Sequence, residues 1–599
     1  MRRRKRSYQR TLAEKAVAFL CVFRYNYKGE LPVFRRMEQD SMKEESGMGR
    51  KTLVWLLLAA LTMSLLAGCQ SAGSGQREME PEDVQTTDAD SGASGEAEAV
   101  SAEEEAPQEE DVPAWSQPNG TAEPEAVADR MSMPRIIITQ DGEVDDINSL
   151  VRTLLYADDL DIAGIVQTSS QYHYSGDGEQ APYRWMGTQW MYDMLDSYAE
   201  CYPNLSAHDP NYPTAEELRA VTVVGNVKLE GEMEEVTEGS ELIRACILDD
   251  DPRTLNIAVG GGANTVARAL KSIEEEYADT GEWDALYEKI CGKVLLAAWG
   301  AQDNAYETYI SQKWPSIPML DVSGASEPIG YSWGQTDISM SARKKLEGSW
   351  MYEHLEHDHG PLLDWYVTWG DGTHLEGEGD SDQFGDNEAL LGSLDWWGGQ
   401  WMGLVYNRYD FLSEGDSPDW IRALDNGLRA GEDMTYGGWG GRYVPAGYGA
   451  NPDAVYYASA PETSMADWME AIQNDFATRA DWCVTPAYRD ANHAPTVNIA
   501  EGLDFTAAAG EQVSLSAVTG DPDGDMVSYH WRQYAAADTY DGDKDGAVRI
   551  SHIDGDPAKV AVTVPADAQS GDTIHVILEV RDNGEHSLSA YQRIIITVM

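Results

Sequence analysis

The apolar residues of this chain fall into two regimes. From Pro134 to about Asp490, short β-rich apolar runs alternate with stretches of helical period. Arg135-Ile136-Ile137-Ile138-Thr139 has the length and composition of a buried strand, and a helix is predicted after it through Ile147 to Tyr156. Leu160 to Thr168 predicts a second strand and Tyr183 to Tyr202 a long helix. Leu255 to Val259 leads into a helix over Thr265 to Tyr277, and Val294 to Trp299 into another that begins near Asp303. Strand–helix alternation of this kind predicts an α/β, doubly wound domain: a parallel sheet with helices on both faces. Ligands of such sheets bind beyond the carboxyl ends of the strands.

After Ala491-Asn492-His493-Ala494-Pro495 the period changes to two. Val497 to Ile499, Gln512 to Ala517, Val527 to Gln533, Val548 to His552, Val560 to Val564, Ile574 to Val580 and Ile594 to Val598 alternate over strand lengths. Turn signals such as Asp521-Pro522-Asp523-Gly524-Asp525 and Asp582-Asn583-Gly584 separate them. About seven strands in roughly a hundred residues predict an all-β, immunoglobulin-like sandwich.

The N-terminal region is patterned differently again. Met48-Gly49-Arg50-Lys51 is a short positive stretch, Thr52 to Leu66 an apolar run too short to span a bilayer comfortably, and Leu66-Ala67-Gly68-Cys69 closes it. This resembles the lipobox of bacterial lipoproteins, in which Cys69 would carry the lipid. That implies an extracytoplasmic protein lipid-anchored to the cell membrane or outer membrane. From Gln70 to about Met133 the chain is rich in Glu, Ala, Ser, Gly and Pro, a composition that cannot bury enough apolar surface to offset ordering, so a solvated tether is expected. The expected organisation is therefore 1–69 upstream segment and signal peptide, 70–133 disordered acidic linker, 134–490 doubly wound domain and 491–599 sandwich.

Over 599 residues the formal net charge is -60, which excludes a nucleic-acid partner because phosphate would be repelled. With 19 Trp against 7 Phe, the aromatic inventory leans toward rings that carry a polar N–H and suit sugar surfaces. Of the 6 cysteines, Cys201, Cys246, Cys291 and Cys483 are widely spaced without a zinc pattern, leaving free thiols or one or two disulfides open.

The chemistry is concentrated where the first strand ends. In Asp141-Gly142-Glu143-Val144-Asp145-Asp146, three aspartates fall within six positions and would repel one another unless a hard cation such as calcium or magnesium neutralises them. A helix N-terminus enriched in acids would explain one or two of them.

Here the chain resembles the nucleoside hydrolases of the inosine-uridine superfamily, whose first strand ends in a DxDxGxDD motif, with Thr139 in place of the first acid. The resemblance implies that Asp141 and Asp146 bind calcium, that Asp141 is the base for the attacking water, and that Asp145 contacts a sugar hydroxyl. A closer resemblance, over nearly all of Pro134 to Val598, is to bacterial cellulose-binding proteins that join a nucleoside-hydrolase-like domain to a C-terminal sandwich. It rests on Asp141 to Asp146, Ser169-Ser170-Gln171-Tyr172-His173, Gly260 to Thr265, Gln302-Asp303-Asn304, His359-Gly360-Pro361-Leu362, Glu414 to Pro418, Asn426-Gly427-Leu428 and Gly437 to Tyr443.

These comparisons imply a surface hydrolase of N-glycosyl or related glycosidic bonds, acting on a carbohydrate or nucleoside-like molecule. The alternative is a non-catalytic lipoprotein that binds a cellulose-like polysaccharide. Gln171, His173 and Asn264 are expected at the substrate, although Asn264 would serve equally as a helix cap. Asp416 is the candidate remote carboxylate completing the cation shell, against an ordinary turn aspartate. His359 is assigned as acid or donor to the leaving group, with His173 second. Trp396, Trp397 and Trp439, in Gly-rich loops, are expected to stack on sugar faces. The run His354-Leu355-Glu356-His357-Asp358-His359 offers a transition-metal site as an alternative. Asp521, Asp523 and Asp525 read as an acidic β-turn, with a structural calcium as the second possibility.

Overall fold

The computed structural model describes residues 114–124, 126–300, 302–415, 418–460, 464–542 and 548–599. Cys69 and Asp416 lie outside these residues. No helix among them is long and apolar enough to cross a membrane.

The first domain is built on a sheet of β1 (Arg135–Gln140), β2 (Asp161–Gln167), β3 (Thr222–Val224), β4 (Leu255–Val259), β5 (Val294–Ala298), β6 (Met319–Asp321), β7 (Tyr443–Ala446) and β8 (Tyr456–Ser459). Their order across the sheet is β3-β2-β1-β4-β5-β6-β8-β7, all parallel except β7, which pairs antiparallel with β8. All six positions of β1 are buried, as expected of a central strand covered on both faces. Alternation along the strand divides it between two cores. Ile136 and Ile138 pack with α1 (Val144–Leu155) and α2 (Gln189–His208), while Ile137 joins α3 (Glu238–Leu248) and α4 (Asn264–Tyr277) on the other face. Each of these isoleucines contributes about 1.5–3 kcal/mol by leaving water.

The expected strands and the helices after β1 and β4 are present. The helix expected from Tyr183 starts instead at Gln189, because Arg184 (φ 46°) and Gly187 (φ 93°) adopt left-handed backbone that ends regular structure ahead of it. The helix expected near Asp303 is a turn followed by a π-helical stretch, Tyr306–Ile310.

A long helix, α5 (Met469–Val484), packs on α1 and α2 and leads to the sandwich. There, β9 (Thr496–Ile499), β10 (Asp504–Ala507), β11 (Gln512–Gly520), β12 (Val527–Gln533), β13 (Arg549–Ile553), β14 (Asp556–Thr563), β15 (Thr573–Asp582) and β16 (Ser589–Val598) form two four-stranded sheets, β10-β16-β15-β12 and β13-β14-β11-β9. Strand β10, whose Asp504-Phe505-Thr506-Ala507 has a single large apolar residue and only Ala507 buried, is the one absent from the sequence pattern. The end of the expected tether is also paired: Ser116 exchanges backbone hydrogen bonds of 2.9 and 2.8 Å with Val527, and Asn119 Nδ2 donates to Ala517 O at 2.8 Å. The two domains lock through Arg593 of β16, whose guanidinium donates to Leu428 O at 2.6 Å and Gly437 O at 2.7 Å.

Candidate active site

Strands β2 and β4 flank β1 on opposite sides, so the sheet order reverses there and a crevice opens beyond their carboxyl ends. Asp141 stands at that point, 1% exposed, immediately before α1. The motif is tied internally: Asp141 N donates to Asp146 Oδ2 at 2.9 Å, Glu143 N to Asp141 Oδ1 at 3.2 Å, and Asp146 N to Asp145 Oδ1 at 3.0 Å. These bonds fix three carboxylates around the first turn of a helix, where the backbone dipole favours negative charge.

The loop after β4 leaves room for Asp141 through its glycines. A Cβ on Gly261, at φ 69°, would lie 2.8 Å from Asp141 Cβ; one on Gly262 would lie 2.3 Å from Ser169 O and 2.4 Å from Asp303 Oδ2. Asp303 is thereby held against the start of α4, accepting from Asn264 N at 3.0 Å and Ala305 N at 2.9 Å. Burial pushes its carboxyl up to about 6 against those backbone donors.

His173 is fully buried and central. Its Nε2 lies 2.7 Å from Glu378 Oε1, and its Nδ1 faces Glu143 Oε2 at 3.6 Å and Asp141 Oδ2 at 3.7 Å. Burial opposes its charge, but Asp141, Glu378 and Glu143 override it and the imidazole is pushed up to about 12. Burial likewise works against the Asp141 carboxylate, and His173 with the hydrogen bonds of the motif holds it well below the usual range. Glu143 goes the other way, to about 7, through burial and the nearby charges of Asp141 and Glu378, with His173 opposing. Arg184 closes the cluster, its NH1 3.2 Å from Glu378 Oε2 and its NH2 3.2 Å from Asp382 Oδ2.

Neither Asp141 Oδ2 nor His173 Nδ1 has a hydrogen-bond partner. One ligand atom from each of Asp141, Glu143 and His173 lies within 4.8 Å of the others. The orphaned Asp141 oxygen and the carboxylate-rich donor set fit a hard cation, with the imidazole as the less suitable neighbour.

Aromatic rings continue from this cluster. Tyr331 Oη is 3.5 Å from Glu143 Oε1, its ring meets Trp397 edge-on at 5.2 Å, and Trp397 lies 5.8 Å from Trp401. Trp397 is 42% and Trp401 66% exposed, so this patch offers open aromatic faces.

Several expected residues stand elsewhere. His359 is a correction: its Nε2 pairs with Asp481 Oδ1 at 3.1 Å on α5, and Asp481 Oδ2 meets His586 of the sandwich at 3.0 Å. Two residues earlier on α5, Arg479 contacts Asp158 and Leu155 at the far end of α1, about 18 Å of helix from Asp141. The leaving-group role assigned to His359 therefore has no partner at Asp141, whereas His173 does. Trp439 is buried at the domain junction, its indole N–H 3.4 Å from Tyr591 Oη, and Trp396 is buried core; of the three tryptophans, only Trp397 presents a face. Asn264 spends its amide internally, on Ser169 Oγ, Asn226 O and Glu232 O at 2.9–3.0 Å, with its Oδ1 on Thr168 Oγ1, so it ties loops and does not reach a ligand. Gln171 is exposed at the rim. The chain before Asp416 runs beside the cluster, since a Cβ on Gly415 would sit 3.0 Å from Asp145 Oδ2. Of the His354–His359 run, His357 is exposed against Asp358, whereas the His354 ring meets His586 edge-on at 4.8 Å, so His354 and His359 both approach the Asp481–His586 pair. Cys201, Cys246, Cys291 and Cys483 are free thiols.

Fold and site together define a nucleoside-hydrolase-like α/β protein joined to a β-sandwich. A family model described as the cellulose-binding Sde182, nucleoside hydrolase-like domain matches residues 135–443, just over half of the chain, and the protein belongs to this family. A second, the cellulose-binding protein Sde0182 C-terminal domain, matches residues 512–598. Among solved structures, a nucleoside hydrolase-related hypothetical protein from Saccharophagus degradans, associated with carbohydrate metabolism, aligns over 78% of this chain and 100% of its own, at 27% identity and TM-score 0.60. The type III effector XopQ, complexed with adenosine diphosphate ribose, aligns over 58% of this chain and 94% of its own at 11% identity; its TM-score of 0.29 is too low to bear on the site. No curated protein matches.

Proposed function

We propose that the crevice binds a saccharide and hydrolyses its N-glycosyl or a related glycosidic bond, with Asp141 as the base. The observation that carries this reading is Asp141 itself: a buried, ionised carboxylate at the sheet's reversal point, with Oδ2 unspent by any hydrogen bond. In the reaction Asp141 takes the proton of a water that attacks the anomeric carbon. Its carboxylate and those of Asp145 and Asp146 stabilise the positive charge that develops on the sugar. His173, held by Glu378 at 2.7 Å, is the group positioned to donate to the departing group. Asp141 and Asp146, with Glu143 alongside, would hold calcium, which supplies a lowered pKa for bound water and a fixed point for sugar hydroxyls. Trp397, Trp401 and Tyr331 offer the stacking surface.

The second reading is saccharide binding without turnover. It is favoured by the closure of the cluster, where Asp141 and His173 are at most 1% exposed while Trp397 and Trp401 stand open, and by the cellulose-binding description of the family. Turnover of a panel of nucleosides and oligosaccharides by wild type and Asp141→Asn separates the two. Hydrolysis in wild type that falls by about 10²–10⁴-fold in the variant, with saccharide binding retained, is the expected result. No turnover in wild type with binding intact leaves the second reading.

A further inference from the structure

Where α5 meets the sandwich, nitrogen and oxygen donors gather from three parts of the chain. Asp481 stands on α5, Glu585 and His586 on the turn between β15 and β16, and His354 and His359 in the first domain. One ligand atom from each of Asp481, Glu585 and His586 lies within 4.8 Å of the other two. The Asp481 carboxylate is shared: Oδ1 lies 3.1 Å from His359 Nε2, and Oδ2 lies 3.0 Å from His586 Nε2. The His354 ring meets His586 edge-on at 4.8 Å. Among the described residues no lysine or arginine pairs with Asp481 or Glu585, so imidazoles are what face these carboxylates.

The backbone is bent to make this arrangement. His586 and Ser587 hold positive φ, 60° and 50°, a region that residues with a Cβ rarely occupy. Asp582 pins the turn through Oδ1, which accepts from Gly584 N and Leu588 N, each at 3.0 Å. Asn474 of α5 donates to Ser587 O at 3.1 Å. The His586 side chain is thereby directed onto α5 and is 5% exposed. His359 has no partner for its buried Nδ1, so among the described residues Asp481 is the one hydrogen-bond partner of that ring.

We propose that Asp481, Glu585 and His586 bind a zinc ion, with His359 as fourth donor, and that this ion clips the sandwich to α5. The mixture of donors selects the metal: imidazole nitrogen suits zinc and not calcium or magnesium, and carboxylate oxygen serves zinc as well. Zinc bonds of about 2.0–2.2 Å place neighbouring donors of a tetrahedron about 3.3 Å apart, close to both Asp481–imidazole separations. Glu585 needs to close by only about 1–2 Å, within reach of side-chain rotation. In the metal-free protein the two imidazoles share the carboxylate instead. The inference is independent of the crevice and of any cation held there.

Calorimetric titration of zinc into the full chain, stripped of metal, is the test, with thermal melts in parallel. Wild type should bind zinc and melt higher with it. His586→Ala should weaken binding by at least about tenfold and lose the zinc-dependent rise, while Asp141→Asn keeps both. Glu585→Gln, which alters an exposed side chain, decides the matter should His586→Ala fail to fold. If the crevice also takes zinc, wild type binds two ions, Asp141→Asn removes one and His586→Ala the other, and the proposal stands. It is overturned if wild type binds no zinc, if Asp141→Asn abolishes all binding, or if the deciding variant binds at full strength.

Discussion

Asp141 Oδ2 and His173 Nδ1 lie 3.7 Å apart, beyond hydrogen-bond reach, yet each sets the other's charge. At this spacing opposite charges attract by on the order of 4 kcal/mol for an effective dielectric of about 20, which works against the cost of burying both. Glu378 supports the imidazole from the other side, and Arg184 in turn supports Glu378. The open end of the site is aromatic, so Trp397→Ala should weaken saccharide binding by about tenfold, read calorimetrically, while leaving the melting temperature close to wild type because the ring packs on the surface. Unchanged affinity would move the sugar away from this patch. Asp141, Asp145 and Asp146 were legible in the sequence because one strand end and one helix start present them together. Glu378, Arg184 and Tyr331 were not, because each comes from an irregular loop whose spacing carries no period. Trp439 misled for a related reason: its glycine-rich flanks read as an open loop, but Tyr591, 152 positions further on, covers it.

At the scale of elements, α5 is the hinge between the two halves. Asp481 on this helix takes His359 on one carboxylate oxygen and His586 on the other, joining a loop of the first domain to the turn before β16. Burial works against the Asp481 carboxylate, and the two histidines bring it down to about 2. A carboxyl depressed below its ordinary value of about 3.9 stabilises the fold above that pH and loses the contribution as the pH falls through about 2. Asp481→Asn should therefore cost about 1–2 kcal/mol at pH 7, and denaturant melts should show the gap to wild type closing as the pH approaches 2. A gap independent of pH would mean that the carboxylate's charge contributes nothing there. The histidine-rich run around His359 suggested chemistry because the sequence displays its neighbours in line; the partners that claim it, Asp481 and His586, are distant in the chain. The strands and the helices after β1 and β4 were readable from period alone. The start of α2 was not, since positive φ at Arg184 leaves no trace in apolar spacing.

The whole molecule joins an α/β crevice to a sandwich through buried polar contacts. Arg593 of β16 is fully buried and donates to backbone carbonyls of the first domain, so the two halves are locked by hydrogen bonds that would be left unsatisfied on separation. The order of the domains and their classes followed from the change of period near Asn492. Their fit did not, because Arg593, Tyr591 and Trp439 read individually as ordinary strand and loop residues. Under the proposed function, carbohydrate recognition falls to the crevice of the first domain. A crystal structure of the protein with a bound oligosaccharide tests that assignment most directly. Density is expected against Trp397 with a sugar hydroxyl within hydrogen-bond reach of Asp141; density confined to the sandwich, with Asp141 and His173 untouched, would contradict this assignment.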